Sequence, residues 1–177
     1  LKKIEITFDK ERIKELIRGL KTLELRALGS ILYLYGCRIS EILGKLRKEQ
    51  VVYEKDEDGE WLILKNIITL KRRKDTYYRT LPLKITEDER ELVNYILDYI
   101  KTIPEGHILF TKTRRWAERH FQNHGIFPHF LRACRATHLA NFAKPFQLQA
   151  WFGWKKVDSA DMYVRQSQII LREMWNG

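Results

Sequence analysis

The hydrophobic period of this chain changes twice, and that change limits the folds open to it more than any other feature. From Asp9 to about Leu46 the apolar residues recur at helical spacing, with Ile13, Leu16, Ile17 and Leu20 on one stripe and Leu25, Leu28, Ile31, Leu32 and Tyr35 on the next. Asp9 is placed to cap the first helix, and Gly36 marks a break or a close approach. The run QVVYEKDEDGEWLILKN then reads as strand, turn, strand, with Asp58-Gly59 as the hairpin signal. IITLKRRKDTYYRTLPL reads as strand, basic turn, strand, with Pro82 near its end where a missing N–H is tolerated. Helical spacing returns after Thr86, which with Glu89 has the form of a capping box. A loop with a short extended piece (IPEGHILF) follows. TRRWAERHFQNHGI predicts a helix ending near Gly125, and PHFLRACRATHLANFA another with Pro128 in its first turn. PFQLQAWFG and DSADMYVRQSQIILREMWNG complete the series. Helices, a small meander, then helices predict an α+β fold, mainly helical, with a small antiparallel sheet on one side.

A length of 177 residues suits one domain and at most two small ones. No apolar run approaches the roughly 20 residues of a spanning helix. The opening LKKIEITFDKERIKEL is already charged and lacks a secretory pattern, and a start at Leu1 is read as an excised segment. Two cysteines, Cys37 and Cys134, are too few for a disulfide scaffold and lack zinc-ligand spacing, which predicts buried thiols in a reducing compartment. The net charge of +10, from 33 Lys and Arg against 23 Asp and Glu, points to an anionic partner, nucleic acid or a membrane surface. The excess is clustered. Lys71, Arg72, Arg73, Lys74 and Arg79 lie on the second hairpin; Lys112, Arg114, Arg115 and Arg119 open a helix; Arg132, Arg135 and His138 share another. One cluster alone is an ordinary solvated face, but three in a small domain predict phosphate-backbone contact.

Three features carry chemistry. His129 and Arg132 are three residues apart and share a helix face, a pairing suited to an anion but common by chance. Arg38 interrupts an apolar stretch and needs a partner, for which Glu41 is the local candidate; a carboxylate there would hold the guanidinium with donors left for a phosphate. Tyr163 lies nine residues after Trp154. In this order the pieces resemble the tyrosine recombinase (phage integrase) family. GCRISE (Gly36 to Glu41) resembles its first arginine box, and HFLRACRATHL (His129 to Leu139) its second. FGW (Phe152 to Trp154) with Tyr163 resembles its tyrosine box. RTLPL (Arg79 to Leu83), with Lys74 five residues before it, resembles its lysine hairpin. The matches span nearly the whole chain. Two positions depart: Ala133 stands where a histidine is usual, and Trp154 takes the alternative to a histidine, an N–H donor that cannot shuttle protons.

The resemblance implies the DNA breaking-rejoining catalytic fold, and transesterification through a 3′-phosphotyrosine with no metal, ATP or other cofactor. It assigns Arg38 and Arg132 to the non-bridging phosphate oxygens, His129 and Trp154 as further donors, Tyr163 as nucleophile and Lys74 as general acid, with Lys71 the alternative if the hairpin register differs. Lys71, Arg72, Arg73, Arg79, Lys112, Arg114, Arg115 and Arg135 become DNA contacts. It further implies double-stranded DNA as partner, a tetramer on paired sites with weak binding or a monomer alone, no membrane role, a cytoplasmic, DNA-associated location, and a core-binding domain N-terminal to residues 1–177. The tail residues Ile169, Ile170, Leu171, Met174 and Trp175 fit either an internal core helix or a dock on a neighbouring protomer. Cys37 and Cys134 flank the two arginines, so their thiols are expected to come close, with a disulfide as one outcome. A type IB topoisomerase or telomere resolvase would share the tyrosine chemistry, and a catalytically silent DNA-binding module would share only the basic surface.

Overall fold

A computed structural model describes residues 9–69, 77–154 and 170–176. Helix α1 (Lys10–Arg18) is capped by Asp9, whose carboxylate accepts from Glu11 N at 3.0 Å. Helix α2 (Leu23–Leu34) is capped by Thr22 and buries nine of its twelve residues. It is apolar nearly all round because it is the central helix, packed against α1, α4 (Glu87–Ile100) and α6 (Pro128–Ala140). All of the stripes read from the sequence except the half-buried Leu16 lie in the core: Ile13, Ile17, Leu20, Leu25, Leu28, Ile31, Leu32 and Tyr35 are each at most 1% exposed. The helical run stops at Gly36 (φ 62°), and a separate short helix α3 (Ile39–Ile42) follows, with Arg38 at its N-cap instead of inside a continuous helix.

The strand region is a single three-stranded antiparallel sheet in the order β1-β2-β3, comprising β1 (Val51–Asp56), β2 (Gly59–Thr69) and β3 (Tyr77–Lys84). The last strand of the first hairpin and the first strand of the second are one strand, β2. The first turn is Glu57-Asp58, with Gly59 (φ 132°) already paired to Asp56. The register of β2 on β3 slips between Leu64 and Ile67 around Asn66 (φ 54°), whose N–H donates to Thr80 Oγ1 at 3.1 Å. Thr69 pairs with Tyr77, so the basic segment joins the two strands, as the sequence predicted.

Thr86 occupies the N-cap position of α4, but its side chain makes no cap hydrogen bond and no capping box forms. Glu89 is buried and paired with Arg135 at 3.5 Å, which takes its carboxylate away from the helix start. Helices α5 (Arg114–Gln122) and α7 (Pro145–Phe152) complete the set, and Gly125 (φ 74°) turns the chain after α5. Residues 170–176 pack on their own domain. Leu171 and Met174 are 1% exposed, Trp175 Nε1 donates to Pro82 O at 3.0 Å, and Gln147 Nε2 donates to Ile170 O at 3.1 Å. Arg172 pairs with Glu54 and Asp56 at 3.5 and 3.4 Å. Of the two placements open to the tail, its described part takes the internal one.

Candidate active site

Gly36 decides how the two arginine boxes meet. A Cβ built on it would lie 2.3 Å from Phe152 Cε1, closer than non-bonded atoms approach, so only glycine lets the end of α2 rest on the end of α7. That contact brings the Gly36 and Phe152 carbonyls to one guanidinium. Arg132 Nη1 donates to Gly36 O, Nη2 donates to Phe152 O at 3.0 Å, and the Phe152 ring lies 5.2 Å below the guanidinium carbon. Pro128 starts α6 where an N–H is not needed, which sets His129 and Arg132 one turn apart. His129 is exposed and Arg132 half-buried.

Arg38 N–H donates to Glu41 Oε1 at 2.9 Å, and its Nη1 lies 3.9 Å from Glu41 Oε2. Arg38, His129, Arg132 and Arg114 line one cleft of about 130 Å³, with Cys37 also in its lining. Arg114 is steadied by Glu118 at 2.7 Å. The structure thus gathers three of the proposed phosphate ligands and one predicted DNA contact. Trp154 follows Gly153, whose left-handed φ of 69° ends α7. It is 44% exposed and stacked on Phe152 with centroids 4.9 Å apart. Lys112, Arg115 and Arg119 are exposed, with Lys112 Nζ 5.4 Å from the Trp116 ring centre. Lys71, Arg72, Arg73, Lys74 and Tyr163 lie outside the described residues.

The site concentrates positive charge. Burial, then the charges of Arg38 and Arg79, push the Arg132 pKa down to about 10. Burial pushes the Cys37 thiol up to about 11. Burial alone would raise Glu41, but the hydrogen bond and charge of Arg79, with help from the Arg38 N–H, hold it below its usual range. A half-buried cation beside other cations is destabilised until an anion arrives. Sulfate is therefore expected to raise the unfolding temperature. At ten times its dissociation constant the gain is about 1.4 kcal/mol, which is roughly 3–6 °C for a chain of this size. A matched chloride series run on Arg132→Met checks this: equal shifts with and without Arg132 would mean the cleft takes no anion. Among the described residues no group of three or more His, Cys, Asp or Glu is placed to hold a metal ion.

Two predicted DNA contacts are corrected. Arg79 is 5% exposed and Arg135 1%, so neither faces a duplex. Arg79 is paired with Glu41 at 3.1 Å; Arg135 donates from Nε to Leu34 O at 2.8 Å and sits over the Tyr33 and Trp175 rings. His138, grouped with them in the sequence, is also internal, with Nδ1 2.6 Å from Tyr33 Oη. Once the packing is known, the pattern can be read back from the sequence. Arg79 alternates in phase with Leu81 and Leu83, and Arg135 lies on the same stripe of α6 as Leu131, Cys134 and Leu139, all inward-facing positions. The partner expected for Arg38 is chiefly the partner of Arg79. Cys37 and Cys134 are both buried thiols, and no disulfide joins them.

The sequence profile of the phage integrase family matches residues 7–168, and the chain belongs to that family. No curated protein matches the sequence. Solved structures with the same fold include XerA recombinase, at 20% identity over 98% of this chain and 65% of that one (TM-score 0.57). XerH site-specific recombinase bound to difH substrate is similar at 19% identity, over 96% of this chain and 50% of that one (TM-score 0.57). FLP recombinase in a Holliday junction complex is 10% identical, over 87% of this chain and 44% of that one (TM-score 0.56). The chain thus spans about half to two thirds of the length of the first two. Among the described residues no helix is long and apolar enough to cross a membrane.

Proposed function

We propose that residues 1–177 form the catalytic domain of a site-specific DNA recombinase that cuts and rejoins strands through a covalent tyrosine intermediate. The observation that carries this reading is the convergence of Arg38, His129 and Arg132 on one cleft, with Arg132 tied to both the Gly36 and Phe152 segments. A phosphodiester gathers charge on its non-bridging oxygens in the transition state. Arg38 and Arg132 stabilise that charge, and His129 and Trp154 add donors. Tyr163 Oη attacks phosphorus and the bond to the 5′-oxygen breaks. The tyrosine proton passes to His129, and Lys74, or Lys71 in a shifted register, protonates the leaving oxygen. The phosphotyrosine conserves the bond energy, so attack by a second 5′-hydroxyl rejoins the strands. Two paired duplexes require several protomers, which gives a DNA-associated tetramer and weak binding by a single chain.

The test is a pool of duplexes of random sequence, each nicked at one fixed position so that the short 5′ product escapes. The chain is expected to leave a covalent protein–DNA band in denaturing gels, and Tyr163→Phe to leave none. A band that survives in Tyr163→Phe, or no band from the unmutated chain, defeats the proposal.

A further inference from the structure

Arg79 is the most heavily engaged side chain near the cleft, and the mechanism above gives it no part. Its Nε donates to Trp151 O at 3.0 Å, and Nη1 donates to Thr69 Oγ1 at 2.5 Å and Glu41 Oε2 at 3.2 Å. Its Nη2 donates to Glu41 Oε1 at 3.1 Å and approaches Cys37 Sγ at 3.9 Å. Each partner adjoins a different part of the site. Glu41 Oε1 also accepts the Arg38 N–H. Trp151 immediately precedes Phe152, whose carbonyl holds Arg132. Thr69 ends β2, directly before the segment that carries Lys74. A Cβ on Gly153 would lie 2.9 Å from Thr69 Cγ2 and 3.4 Å from Arg79 Nη1, so the turn into Trp154 rests on this pair.

We infer that Arg79 is a positioning residue, whose buried guanidinium sets the segments bearing Arg38, Arg132 and Trp154 in one mutual geometry; this rests on the recombinase reading. An apolar side chain of equal volume could fill the space. It could not fix direction, because only the planar fork offers five donors in set orientations. Small displacements of substrate-positioning groups cost large factors in rate, about 100-fold for 1 Å. The residue therefore affects the chemical step more than the capture of DNA, whose contacts come from exposed cations elsewhere.

Two variants test this. Glu41→Gln/Arg79→Met removes both charges together, so no lone charge is buried. Arg79→Lys keeps the charge and loses the fork, and is read in parallel so that a misfolded double variant does not decide the matter. DNA affinity and the single-turnover rate of band formation at saturating DNA are measured separately, on a sequence recovered from the nicked pool. The expected result is a cooperatively folded protein with unchanged affinity and a rate lowered about 100-fold. A folded variant that cleaves at the unmutated rate, or one whose affinity falls as far as its rate, overturns the inference. No band from the unmutated chain instead sinks the recombinase reading, and this inference with it.

Discussion

Arg132→Lys is expected to slow covalent capture of nicked DNA by roughly 1,000-fold, while the protein still folds. The guanidinium has five N–H donors, and two of its bonds are spent on the Gly36 and Phe152 carbonyls. Those bonds aim the remaining donors into the cleft shared with Arg38 and His129. Lysine keeps the charge but concentrates it on one nitrogen, which cannot span two carbonyls and a phosphate. Loss of one preorganised donor to a developing oxyanion costs about 10²- to 10³-fold in rate, and here the aim of the others is lost as well. The carbonyl bonds also stabilise the fold, by about 1.5–3 kcal/mol for each hydrogen bond to a charged group, so a lower unfolding temperature should accompany the slower rate. Band formation followed in single turnover, beside a thermal melt, separates the two effects. A rate within tenfold of the unmutated chain would remove Arg132 from the phosphate.

Gly36→Ala is expected to be the most damaging small substitution in the chain. Two costs combine. The backbone at φ 62° disfavours any residue with a Cβ by about 1–2 kcal/mol. The new methyl would also sit 2.3 Å from Phe152, a ring that is 0% exposed and cannot swing aside. Overpacking of this kind costs about 1–3 kcal/mol. Together they predict a fall in unfolding temperature of roughly 4–20 °C. Relief by displacement of α7 would carry the Phe152 carbonyl off Arg132, so cleavage should fall further than the melt alone explains. Gly36→Ala with Phe152→Leu, which opens room for the methyl, should recover part of the stability. An unchanged melt for the single variant would mean that the α2–α7 contact is looser than this geometry.

Both predictions depend on a contact between residues 116 positions apart, and here the sequence stops being informative. The order of helices and strands was legible because periodicity is a local property: the α2 stripe and the β2–β3 alternation can be read within a dozen residues. The boxes could be matched to the family because their spacings, His129 to Arg132 and Trp154 to Tyr163, are short distances in sequence, with Tyr163 outside the described residues. The basic clusters were legible only as charge. Proximity in sequence could not separate Arg132, whose guanidinium lines the cleft, from Arg135, one turn further along α6 and enclosed by Tyr33, Glu89 and Trp175. Three residues apart, they differ in phase by only about 60°, and so small an offset acquires meaning only when it is known what the helix packs against.

By itself, then, the sequence determined the class of fold and the order of its elements, since both follow from backbone preference and apolar period over short stretches; the segments proposed to bear the chemistry came from the family resemblance. Only the tertiary structure decided which cations face solvent. A carboxylate such as Glu41 satisfies whichever guanidinium the fold brings to it. It accepts the Arg38 N–H from its own helix turn, but its two oxygens are held by Arg79, 38 residues along the chain and on another element. A buried charge must be paired, and the partner is set by packing geometry, which local sequence does not encode.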